Sequence, residues 1–206
     1  MRLLLKLSIL VVAIAVPLFA QSGPAPAAET TPGDFSVGYS FLDLSFAGKP
    51  AVRFNGIDAA AMITINPSWA ATVDTSFYHA GRDIESGHAS SVLSALAGPV
   101  FTVARRGDAR ILARGLVGVS VVDGSVPVDQ VYFRGYESRF SWAVGAGYER
   151  SLSASYAVRF NVDYLRTHFV DNSAAVAPQN GIRLGANFVF RFSPRRESHR
   201  ISREPN

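Results

Sequence analysis

Apolar and polar residues alternate one for one along eight segments of this chain. The clearest is residues 181–192. There Ile182, Leu184, Ala186, Phe188, Phe190 and Phe192 share one parity, Gly181, Arg183, Gly185, Asn187 and Arg191 share the other, and Val189 alone breaks the pattern. Successive side chains on a strand point to opposite faces, so a period of two predicts a strand with one oily side and one side carrying two guanidinium groups.

Seven further segments repeat the pattern. Residues 35–44 set Phe35, Val37, Tyr39 and Phe41 against Ser36, Gly38 and Ser40, and residues 54–65 set Ile57, Ala59, Ala61 and Ile63 against Gly56, Asp58, Ala60 and Thr64. Residues 69–78 place Trp69, Ala71, Val73 and Phe77 opposite Ala70, Thr72, Asp74 and Ser76. Residues 91–103 are apolar on both faces in places, and Pro99, which has no N–H to give to a ladder, predicts a bulge or an irregular end there. Residues 110–121, 140–149 and 156–164 alternate again, with Arg110, Arg114, Glu149, Arg159 and Asp163 on the polar side.

The spacing between segments is uneven. Connections 66–68, 104–109 and 151–155 are short, and 47–53, 79–90, 123–138 and 169–179 are longer. Even strand number with short turns at one end and long loops at the other is the plan of barrels that span a bacterial outer membrane, where the short turns and both chain ends face the periplasm. Trp69, Tyr148, Tyr156, Phe190 and Phe192 fall toward the short-turn end, and Tyr39, Phe41, Phe77, Phe140, Trp142 and Tyr164 toward the other, which gives two aromatic girdles. The pattern therefore predicts an all-β fold, an eight-stranded antiparallel up-and-down transmembrane barrel over 34–192. The competing reading is a soluble exported ligand-binding barrel, with the oily face turned inward and the arginines outside.

The N-terminus fits export. Arg2 and Lys6 precede an apolar run from Leu7 to Phe19, so residues 1–20 read as a signal peptide cut after Ala20, with a second candidate site after Ala27. Residues 21–33 are rich in Pro, Ala and Thr and predict a disordered linker, and residues 193–206 predict a basic periplasmic tail. Its arginines at 195, 196, 200 and 203 would lie near anionic headgroups.

Composition narrows the picture little further. Of the 206 residues 17 are glycine, 14 phenylalanine and none cysteine, so the fold has no disulfide to rely on. The formal charge of +4 is carried by the leader and the tail, which leaves 34–192 close to neutral. A nucleic-acid partner is not expected from that distribution.

Alternating strands, glycine-rich polar faces, the Ala97-Gly98-Pro99 step and the closing Phe188-Val189-Phe190-Arg191-Phe192 resemble the small outer-membrane β-barrel domains of the outer membrane protein A and opacity-protein families. The resemblance implies that the closing aromatics, Phe188, Phe190 and above all Phe192, form the signal read by the barrel-assembly machinery. It also implies a place in the outer membrane among lipid and lipopolysaccharide.

With eight strands a barrel interior is just wide enough for side chains to fill it. Asp58, Asp74, Glu149 and Asp163 would then meet Arg110, Arg114, Arg159, Arg183 and Arg191 inside, and buried charges persist when paired. A register joining 169–179 sets Asp163 opposite Arg183, and the 151–155 turn brings Glu149 within diagonal reach of Arg159. Asp58 and Asp74 lie close together and need a cation such as Arg114 or a shared proton.

Function stays open at this level between a plugged structural or surface-interaction barrel, a small pore and a lipid A-modifying acyl hydrolase or transferase. The enzyme reading has only His88-Ala89-Ser90, with no orienting acid in view, so no residue is assigned as catalytic. His79 and His168 are too scattered for a metal site, and no metal or cofactor is expected. In 123–138, Tyr132, Phe133, Arg134 and Tyr136 are candidate contacts for a surface ligand that the sequence does not identify.

Overall fold

The computed structural model describes residues 33–45, 51–81, 89–128, 131–169 and 178–192. The expected leader, tail and all but the last residue of the linker lie outside them. So do His88 and the side chains of Tyr132, Phe133 and Arg134.

The strands are β1 (Gly33–Ser45), β2 (Val52–Thr64), β3 (Trp69–Ala80), β4 (Ser90–Arg106), β5 (Ala109–Val128), β6 (Val131–Ser151), β7 (Tyr156–Thr167) and β8 (Gln179–Phe192). Each pairs antiparallel with its sequence neighbours, and β1 pairs with β8, so the sheet closes on itself. Closure leaves no barrel strand with an unpaired edge in lipid. Gly33 opens β1 opposite Phe192 and Ile63, one residue before the expected start.

The oily face points outward. Ile63 is 67% exposed, Phe160 52% and Phe188 39%, while Val189, the exception to the alternation in β8, is fully buried inside. This orientation overturns the soluble-barrel alternative, which required the arginines outside; Arg159 and Arg183 are buried. Aromatic rings touch across the outer face near the short turns, Trp69 on Phe101 at 5.0 Å and Tyr156 on Phe188 at 5.6 Å. Trp142 meets Tyr164 toward the other end.

Three expectations need correction. The bulge expected at Pro99 falls instead between Thr102 and Ala104, while at Gly98 and Pro99 the β4–β5 pairing lapses without a change of register and the pairing of Pro99 to Ala71 on β3 is kept. Pro99 has no N–H to give to a ladder, and the lapse in pairing falls at that residue. The expected turn over 104–109 shrinks to Gly107 and Asp108, with Arg105 and Arg106 still in β4. Gly107 has φ of +54°, a left-handed conformation that glycine adopts at no cost, and this lets the hairpin turn in two residues.

The third concerns 123–138, which is not a loop. β5 and β6 continue as a ladder from Val121↔Ser138 to Val128↔Val131. β4 stops pairing with β5 at Asp123, and β7 meets β6 only from Trp142 inward. Among the described residues the pair therefore continues beyond the barrel wall as a two-stranded hairpin that no third strand joins.

Candidate functional site

Ten charged side chains converge inside the barrel in two layers. In the layer nearer the short turns, the register sets Glu149 of β6 directly opposite both Arg110 of β5 and Arg159 of β7. The expected diagonal contact is a direct one. Arg110 donates to both oxygens of Glu149 at 2.9 Å, Arg159 donates to Oε2 at 2.7 Å, and Arg191 of β8 donates to Oε1 at 2.5 Å. Asp34, at the start of β1, receives Arg159 at 2.9 Å and Arg110 at 3.4 Å.

The second layer is built on β7 and β8. Asp163 stands opposite Arg183 as the predicted register required, and Arg183 Nε donates to Asp163 Oδ2 at 2.8 Å. Arg114 binds the same carboxylate through Nε at 2.7 Å and Nη2 at 2.5 Å. Both arginines also reach across the lumen to Asp74 of β3, Arg183 at 2.8 Å and Arg114 at 3.3 Å. Ser76 joins them, accepting from Arg183 at 3.0 Å and donating to Asp74 at 3.2 Å.

Gly145 makes this layer possible. It lies opposite Asp163, and a Cβ there would sit 2.1 Å from Asp163 Oδ1, so any larger residue would expel the carboxylate. Asp58 is the outlier. It is buried, no guanidinium binds it, and its Oδ2 accepts from Asn187 Nδ2 at 2.9 Å. Arg114 thus holds Asp74 but not Asp58, and the shared-cation account of these two acids is corrected to that extent.

Asp34, Asp58, Asp74, Glu149 and Asp163 balance Arg110, Arg114, Arg159, Arg183 and Arg191, five against five. Each guanidinium is fully charged and offers five donors in a fixed fork, and carboxylates satisfy it in bidentate fashion, as Glu149 and Asp163 do here. A buried carboxylate deprived of these partners would be left uncompensated.

The expected ion pairs fill one part of the lumen, and apolar side chains fill the rest. Toward the long-loop end the inward faces are apolar. Leu42, Leu44, Val52, Phe54, Tyr78, Val92, Leu96, Leu116, Leu165 and Phe169 form one buried cluster. Phe169 is tied in by Gln179, whose amide accepts from Phe169 N at 2.6 Å and donates to its carbonyl at 2.9 Å. A smaller apolar group of Met62, Ala70, Val100 and Leu112 packs inside near the short turns.

The remaining sequence candidates are less gathered. Phe188 and Phe190 stack with Tyr156 on the lipid face, and Phe192 ends β8 there, 60% exposed. Tyr136 is exposed on the hairpin. His79 bonds Ser91 at the rim at 3.0 Å. Among the described residues no group of three or more His, Cys, Asp or Glu could hold a metal ion. Asp34, Ser76 and Asn187 were missed as lumen partners, although each has the inward parity of its strand.

A closed, lipid-faced antiparallel barrel with a charged interior defines an integral outer-membrane protein. Residues 11–192 match the outer membrane protein beta-barrel domain family, and the chain belongs to that family and to the bacterial outer membrane. No curated protein sequence matches it. Among solved structures it is similar to Neisserial surface protein A at 12% identity and a TM-score of 0.64, covering 78% of this chain and 97% of that one. It is similar to Ail, the attachment invasion locus protein of Yersinia pestis, at 18% identity and 0.53, covering 77% and 97%. OprG of Pseudomonas aeruginosa gives 12% and 0.50, covering 80% and 98%.

Proposed function

We propose that this protein is a sealed outer-membrane barrel that acts at the cell surface through its projecting hairpin, and that it is neither a pore nor a lipid A-modifying enzyme. The observation that carries the reading is the filling of the lumen. An electroneutral charge network lies in series with an apolar layer, so an ion crossing the barrel would have to break bidentate pairs and then enter hydrocarbon. The β5–β6 hairpin supports the surface role, because among the described residues no strand joins its edges, and such edges are templates for an extended partner. Tyr132, Phe133, Arg134 and Tyr136 are its contact residues in this reading.

The lipid-facing barrel would contact phospholipid and lipopolysaccharide, and the barrel-assembly machinery would read the end of β8 at Phe192. The leader and tail keep their expected roles at 1–20 and 193–206, and the linker is 21–32, since Gly33 belongs to β1. The test is planar-bilayer recording of the refolded protein together with mass analysis of lipid A from a deletion strain. Silent bilayers and unchanged lipid A are expected. Reproducible unitary currents would make it a pore, and a shift by one acyl chain would make it an enzyme.

A further inference from the structure

Arg105 and Arg110 stand directly opposite each other on β4 and β5. An antiparallel rung sets both side chains on one face, here the inward face at the short-turn mouth, and like charges so placed repel. The same mouth holds Arg191, opposite Asp34 across the β8–β1 seam, and Arg159. Arg105 thus adds a fourth guanidinium, outside the balanced set of ten, to a mouth whose two carboxylates, Glu149 and Asp34, are shared by Arg110, Arg159 and Arg191.

Those carboxylates are already occupied. Each Glu149 oxygen accepts from two arginines, and Asp34 accepts from Arg159 and Arg110. Arg105 has one bond among the described residues, to the carbonyl of Pro67 at 2.7 Å, and Arg191 has only its contact with Glu149. Asp108, in the adjoining turn, makes no ion pair with Arg105, Arg110 or Arg191. Arg110 and Arg191 are also the most open of the lumen arginines, their side chains 18% and 15% exposed.

We propose that this mouth is an oxyanion site in which Arg105, Arg110 and Arg191 converge on a phosphate group, free or carried on a lipid headgroup. The surplus of two positive charges matches a phosphate dianion, which carries a charge on the order of −2. The spare N–H donors have the planar forks that bind phosphate oxygens in pairs. The short turns face the periplasm in bacterial outer-membrane barrels, so the ligand comes from that side. The site goes beyond the sealed-barrel reading and does not depend on it.

The test is isothermal titration of the refolded full chain, in zwitterionic detergent, with inorganic phosphate and with pyrophosphate at an ionic strength held constant with chloride. Saturable one-to-one binding is expected. Arg105→Gln weakens it at least tenfold and Arg105→Lys less than threefold. Arg105 lies outside the buried pairs, so its variants should keep the heat-dependent gel shift of a folded barrel; if Arg105→Gln fails to fold, Arg191→Gln is titrated in its place with the same loss expected. Absence of saturable binding, or equal affinity in wild type and Gln variant, overturns the site. Repeating the phosphate titration in phosphatidylglycerol and phosphatidylcholine vesicles separates the sources: competition by phosphatidylglycerol assigns a lipid phosphate, and unchanged affinity assigns a soluble one.

Discussion

Glu149 receives three arginines on its two oxygens, more than any other acid described in the barrel, and Asp163, Asp74 and Asp34 receive two each. Removing Glu149 strips Arg191 of its one carboxylate and leaves Arg110 and Arg159 sharing Asp34, while removing Asp163 leaves Arg114 and Arg183 sharing Asp74; breaking buried pairs in this way costs about 3–5 kcal/mol. Asp58 contrasts with them, since Asn187 is its one hydrogen-bond partner among the described residues. Asp58→Asn keeps the shape and an oxygen that can still accept from Asn187, so it removes only the charge-assisted part of that bond, about 1 kcal/mol. Urea unfolding of the refolded protein should therefore show Glu149→Ala and Asp163→Ala well below wild type and Asp58→Asn close to it. Equal small losses from all three would mean that these side chains face water. The pairs along β5, β6, β7 and β8 were legible because hairpin register follows from turn position. Arg183 with Asp74 was not, because β3 and β8 meet only across the lumen once the sheet has closed. Asp34 was missed for a related reason: one acid at the start of a strand carries no pattern, and its partners come from β5 and β7.

Single elements read well where both faces of a strand have distinct neighbours. In β6, β7 and β8 lipid selects one parity and the packed lumen the other, and every assigned face there is observed. The hairpin beyond the barrel has no such constraint. Gly124, Pro127 and Gly135 lie in a segment that reads as a loop, yet β5 and β6 continue through it as a cross-strand ladder. On intact cells, surface trypsin should cut only at outer segments such as those holding Arg82 and Arg134, and never at Arg105 or Arg106; cleavage at the latter would reverse the orientation. At the other end of the chain, Phe192→Ala should lower the yield of assembled barrel in outer-membrane fractions, whereas removal of 193–206 should leave it unchanged. If the truncation abolished assembly and the substitution did not, Phe192 would not be the closing signal.

The molecule as a whole combines an apolar outer wall, an electroneutral ion-paired layer and an apolar inner layer under the long-loop end. The oily periphery follows from period-two alternation alone. The division of the lumen does not, because Leu42, Leu96, Leu116 and Leu165 sit at inward positions that a reader of alternation counts as exceptions. They are systematic: the inward face changes from charged to oily along the barrel axis, a coincidence of height among different strands that no single strand displays.

The central claim is that even positions of β8 meet lipid and odd positions meet a dry interior. The natural chain has no cysteine, so single cysteines can be placed one at a time without background. Leu184, Ala186 and Phe188 report the outer wall, and Gly185 and Val189 the lumen; a Cβ at Gly185 meets nothing nearer than 3.7 Å, so the change is tolerated. In liposomes, probes at 184, 186 and 188 should be quenched by nitroxide lipids, while thiols at 185 and 189 resist a water-soluble alkylating reagent. Fast aqueous labelling at 185 and 189 would reveal a water-filled pore, and fast aqueous labelling at 184, 186 and 188 would contradict the membrane barrel itself.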